Sequence, residues 1–90
     1  MITVDEMKKY LRVDSDDEDA LIESLIASST SLCMDIARIS DNDTFESLEV
    51  SRIAVMYAVA YQFEHREEAD HHELTLTLRS LLFGIREGVF

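Results

Sequence analysis

Residues 53–63 read Ile-Ala-Val-Met-Tyr-Ala-Val-Ala-Tyr-Gln-Phe, eleven positions without a charge, a Gly or a Pro. Ala and Met lose little on entering a helix, and nothing in the stretch breaks one. Because Ile53, Val55, Met56, Tyr57, Val59, Tyr61 and Phe63 leave almost no polar side, the stretch is expected to be a central helix covered by its neighbours and the hub of the core. At this length it falls far short of the roughly 20 apolar residues that span a bilayer.

Upstream of that helix, Ser40-Asp41-Asn42-Asp43-Thr44 supplies turn formers, and Asp43 to Glu46 has the form of a capping box, so the helix is expected to begin near Phe45. Before the turn, Leu21, Ile22, Leu25, Ile26, Leu32, Cys33 and Ile36 recur at three- and four-residue spacing, the stripe of a helix with one buried face. Ser15-Asp16-Asp17-Glu18 predicts its start, with acids suited to the positive end of the helix dipole, and its end is expected near Ile39. Thr3-Val4-Asp5-Glu6 forms another capping box and predicts a short first helix over 4–11. Downstream, residues 64–73 are almost wholly polar and read as a frayed helix end followed by an exposed loop. Leu78, Leu81, Leu82 and Ile85 then return to helical spacing, predicting a last short helix from Thr75 to Phe83 with Gly84 as its stop. The expected architecture is all-α, a small bundle of about four helices forming one domain over 1–90.

The remaining composition agrees. Ninety residues are too few for two cores, and a single core of this size gains from a partner's surface. The net charge is −11, and thirteen of the nineteen acids precede Ser51; such a surface repels phosphate backbones. One cysteine excludes an internal disulfide and fits a reducing compartment, and the start of the chain lacks the cationic region of a signal peptide, so neither export nor membrane insertion is expected.

Candidate chemistry is sparse. His65, Glu68, His71 and His72 include one Glu-x-x-His, half of a carboxylate-bridged metal site, but no second copy exists and a solvated loop is the expected reading. Asp14-Ser15-Asp16 opens like a calcium loop, yet its sixth and twelfth positions are Asp19 and Leu25 instead of Gly and Glu. Ser28, Ser29, Thr30 and Ser31 lack a neighbouring histidine or a sharp Gly-flanked turn, so they are expected to ease helix contact instead of acting as nucleophiles. Cys33 lies in the apolar stripe and is expected to be a buried, inert thiol. Neither a metal nor another cofactor is expected, and no catalytic residue is assigned.

Two surfaces stand out. Arg79 and Arg86 accompany Phe83, Ile85, Val89 and Phe90, placing charge beside apolar groups in an acidic molecule, as an anchor for an acidic neighbour would. The acids are densest at Asp14, Asp16, Asp17, Glu18 and Asp19 and again in the loop from Asp41 through Asp43 to Glu46, and either stretch is a candidate partner surface.

Ile2-Thr3-Val4-Asp5-Glu6 leading to Tyr10-Leu11-Arg12-Val13-Asp14, then Asp16-Asp17-Glu18-Asp19 and the Leu-Ile-x-x-Leu-Ile stripe, together resemble the tailed-phage head-tail connector family, also called head-completion or DNA-packaging adaptor proteins. Phe63-Glu64-His65-Arg66-Glu67 and Leu78-Arg79-Ser80-Leu81-Leu82 extend the resemblance over nearly the whole chain. Where that family often has a Gly-containing turn after the second helix and a Pro before the last, this chain has Arg38-Ile39-Ser40 and Thr75-Leu76-Thr77. The resemblance implies a structural, non-enzymatic subunit made in the bacterial cytoplasm and built into the virion at the head-tail junction. There a ring of copies, a dodecamer by that likeness, would sit beneath the portal protein, bind tail or head-closure proteins, and let genome DNA pass without specific binding. An acidic wall suits that passage, because phosphate contacts would retard the genome. A protein of another class shares the small acidic helical composition: a DNA mimic that inhibits a nucleic-acid enzyme.

Overall fold

Thr3 opens the first helix as its sequence dictates. In the computed structural model, which describes residues 2–65 and 71–85, the Thr3 hydroxyl accepts the Glu6 amide at 3.1 Å while the Glu6 carboxylate accepts the Thr3 amide at 3.0 Å. Helix α1 then spans Val4–Leu11 and buries Met7. It is followed by α2 (Asp19–Ala37), α3 (Asn42–Glu46), α4 (Glu49–Glu64) and α5 (His71–Leu82), which ends in a 3-10 turn, Phe83–Ile85. The described residues contain no strand, so the all-α expectation holds.

Helix α4 touches α1, α2, α3 and α5 and is the hub the opening stretch predicts. Its Ala54 and Ala58, fully buried, let neighbours approach closely, and Val55 and Val59 fill the space beside them. Against this face pack Ile22, Ile26, Cys33 and Ala37 of α2 and Leu74, Leu78 and Leu82 of α5. Phe45 of α3, with Ile2 and Ile39 outside the helices, completes the core. A polar bond crosses the α2–α4 contact: the Gln62 amide donates to Ser29 Oγ at 2.8 Å, and it also donates to the Ala58 carbonyl of its own helix at 3.1 Å. Ser29 and Thr30 are thus buried contact residues, Thr30 donating to the Ile26 carbonyl at 2.8 Å, whereas Ser28 and Ser31 face outward.

Several boundaries differ from expectation. Helix α2 starts at Asp19, with Glu18 as its cap, because the Ser15 hydroxyl accepts the Asp17 amide and closes a tight turn before the helix. It stops at Ala37, short of Ile39, since Arg38 turns left-handed at φ 59° and the Ile39 amide reaches back to the Met34 carbonyl at 3.1 Å. The helix expected from Phe45 is two helices. Asp41 caps the five-residue α3 by accepting the Thr44 amide, and α4 begins at Glu49 after a break at Ser47-Leu48. The last helix starts at His71, four residues before Thr75, and includes part of the polar stretch read as a loop. Helix α2 has the length and apolar content of a membrane span, yet its buried residues face α1, α4 and α5 as those of a core helix do.

Coverage of α4 is incomplete, which overturns the expectation of a helix enclosed on nearly all sides. Ile53 is 52% exposed, and Tyr57 and Tyr61 are only half-buried.

Candidate functional site

The acidic residues singled out in the sequence serve two local tasks. Lys8 reaches from α1 to Asp16 at 2.7 Å and to Asp19 at 2.9 Å, clamping the α1–α2 connection onto the start of α2. Its proton is held above the usual lysine range by the Asp16 bond and then by Asp19, and the Asp16 carboxyl is held below its usual range chiefly by the same Lys8 bond. Asp14 and Asp17 lie exposed on that connection. Asp41 is a helix cap, its pKa lowered by the Thr44 hydroxyl and amide, and Asp43 is exposed in the first turn of α3. Asp16, Asp19 and Asp41 therefore carry structural partners, and the acids lie in two different places, around the α1–α2 connection with the start of α2 and around the start of α3. The calcium-like start Asp14-Ser15-Asp16 is turned instead to Lys8 and to the Ser15 turn.

The histidine cluster divides likewise. His65 ends α4 with its ring stacked on Tyr61, centroids 4.4 Å apart, and Nδ1 2.9 Å from the Tyr61 carbonyl. His71 and His72 open α5, and Glu68 lies outside the described residues. Among the described residues no group of three His, Cys, Asp or Glu side chains has the geometry to hold a metal. Cys33 is buried as expected, and burial pushes its thiol up to about 12, so the thiolate is scarce near neutrality.

Of the basic, apolar end, Arg79 and Phe83 are exposed, Phe83 by 61%, while Ile85 is half-buried against the core. Arg86, Val89 and Phe90 lie outside the described residues. Leu76, which the sequence reading did not single out, is 48% exposed and lies seven residues before Phe83. Buried Leu74, Leu78 and Leu82 define the inner face of α5, so Leu76, Arg79 and Phe83 share its outer face.

A second outward surface escaped sequence reading. Tyr10 of α1, 54% exposed, and Ile53, Tyr57 and Tyr61 of α4 form an apolar, aromatic face, with the Tyr57 and Tyr61 ring centroids 6.3 Å apart. A shallow groove of about 450 Å³ runs between Tyr10, Tyr57, Ala60, Tyr61, Glu64 and His65. The sequence signal is an excess of apolar residues around α4, which does not say which of them face a neighbour and which face solvent. Large exposed apolar patches on a small chain mark surfaces of association.

A family model described as phage gp6-like head-tail connector protein matches residues 1–88. Searches of curated proteins and of solved structures return no match.

Proposed function

Because this chain belongs to the phage gp6-like head-tail connector family, we propose that its copies close into a ring beneath the portal of a filled head, a dodecamer in the full assembly, extending the DNA channel and offering the tail its attachment surface. The family is structural, a component of the head-tail junction that meets portal and tail proteins. The chain acts in this reading as one domain over 1–90, synthesised in the host cytoplasm and assembled without cofactor, catalysis or membrane.

The observation that carries the reading is the outer stripe of α5, where Arg79 stands between exposed Leu76 and Phe83 in a chain of net charge −11. Arg79, Phe83, Arg86, Val89 and Phe90 make the intersubunit or portal contact. Ile85 supports it from within the fold. The exposed acids Asp14, Asp17 and Asp43 face the channel or a partner, where negative charge keeps DNA from adhering. Family membership favours this reading over a DNA mimic.

The test is native mass spectrometry and electron microscopy of the chain alone and mixed with its portal protein, beside a chain lacking residues 86–90. The full chain is expected to form rings on the portal. The shortened chain, which keeps Ile85 and every described core residue, is expected to retain its helical circular dichroism and to lose assembly. Rings at wild-type yield from the shortened chain would place the contact elsewhere, and a full chain that never engages the portal would refute the reading.

A further inference from the structure

We infer that the outward face of α4, extended by Tyr10 of α1, receives the outer stripe of α5 from a second copy of this chain. The inference rests on the ring reading above and names the second half of its contact. A closed ring of identical subunits needs two different surfaces on each copy, one fitting the other. The described residues include two such outward apolar surfaces, one on α4 with Tyr10 of α1 and one on α5, both pointing away from a core that α4 and α5 share.

They match in length. At 1.5 Å per residue, Ile53 to Tyr61 covers about 12 Å of helix, and Leu76 to Phe83 about 10 Å. They also match in charge. Glu49 stands one turn before Ile53, and Glu64 lies in the groove beside Tyr61, so the aromatic face is acidic at both ends. The α5 stripe carries Arg79, the sole Lys or Arg between His71 and Ile85. In a chain this acidic, copies repel one another wherever acid meets acid, and an aromatic face bordered by Glu favours an apolar outer stripe that brings a guanidinium. Tyr rings also suit Arg, whose planar cation stacks on aromatic faces. Each copy thus offers Leu76, Arg79 and Phe83 to one neighbour and its Tyr10, Ile53, Tyr57 and Tyr61 face to the other.

Complementary disabled copies test the arrangement. Ile53→Asp damages only the receiving face and Phe83→Asp only the inserting stripe, and both positions are more than half exposed, so the fold should persist by circular dichroism. Tyr10→Asp, on another helix, provides a second receiving-face variant should Ile53→Asp lose helical signal. With wild-type chain forming rings, each variant alone is expected to remain monomeric. An equimolar mixture of Ile53→Asp and Phe83→Asp chains still holds one intact receiving face and one intact stripe, so it is expected to give a dimer containing one copy of each and nothing larger. Folded variants that still build rings, or a mixture with no mixed dimer, would overturn the pairing while leaving ring assembly standing. A wild-type chain that stays monomeric with and without portal protein would remove the ring reading and this inference with it.

Discussion

Arg12 and Arg38 hold left-handed backbone at φ 61° and 59°, a conformation that crowds the Cβ of any L residue and costs roughly 1–2 kcal/mol. Each stands where helices commonly place Gly, and in each case the following amide closes the turn on a carbonyl five residues back: Val13 on Lys8 at 2.9 Å and Ile39 on Met34 at 3.1 Å. Arg38→Gly is therefore expected to stabilise the chain by about 1 kcal/mol, less the entropy that Gly adds to the unfolded state, raising Tm by a few degrees. Thermal melting at elevated salt, which screens the lost charge, checks this, and a lowered Tm would show that the Arg38 side chain outweighs the backbone strain. The Gln62–Ser29 bond has the opposite character. Gln62→Ala leaves a buried hydroxyl without its cross-helix partner and is expected to cost about 1–3 kcal/mol in urea unfolding, with a smaller penalty when Ser29→Ala accompanies it. Additive losses would show that the two side chains do not stabilise each other.

Among the elements, the Lys8 clamp on Asp16 and Asp19 fixes how α1 meets α2, and its charge states set a pH window. Asp16 has its carboxyl lowered in the folded chain, so its contribution is present above the unfolded value near 4 and is lost as pH falls through the folded one. Lys8 is raised, so its contribution is complete below the unfolded value near 10.4 and is lost only as pH rises through the higher folded value. The clamp is thus expected to act between about pH 4 and pH 10, and Asp16→Asn should flatten the acid limb of the stability curve. An acid limb unchanged in that variant would assign it to other carboxylates, Asp41 first, whose pKa the Thr44 contacts also lower. This clamp illustrates what periodicity conveys and what it does not. The stripe of Ile22, Ile26 and Cys33 announced the buried face of α2, because burial repeats with the helix and needs no distant partner. The start of α2 did not follow from Ser15-Asp16-Asp17-Glu18, since Ser15 is taken by a local turn and Asp16 by a lysine eight residues back. Splitting α3 from α4 was hidden as well: residues 45–63 contain no Gly or Pro to mark a break, and the break at Ser47-Leu48 shows only in local bonds such as that from the Ser47 hydroxyl to the Thr44 carbonyl at 2.7 Å. Of the candidate site, Arg79 and Phe83 were visible as an oddity of charge and apolarity. The aromatic face of α4 was not, because apolar residues facing solvent spell the same sequence as apolar residues facing a core.

At the scale of the whole molecule, the described residues extend 43 × 28 × 16 Å along their principal axes, and the thinnest direction holds about two layers of helix. In such a slab every helix keeps an outward side, which is why a hub touched by four neighbours still shows Ile53 to solvent. The proposed docking surfaces sit on α4 and α5, two helices held against each other through Leu74, Leu78 and Leu82. The tilt between these helices then becomes the turn from one subunit to the next. A ring of n members turns each by 360° divided by n, so rings of neighbouring size near a dodecamer differ by only about 2–3° per subunit. Core residues that touch no partner would thereby count the members. Leu78→Ala, which loosens the seat of α5 at a cost of about 2–5 kcal/mol, is expected to shift or broaden the ring mass in steps of one 10.3 kDa chain, as native mass spectrometry would read it. An unaltered, single ring mass from a folded Leu78→Ala chain would mean that the portal imposes the number. In the proposed ring, symmetry would be an angle stored in the packing of three leucines.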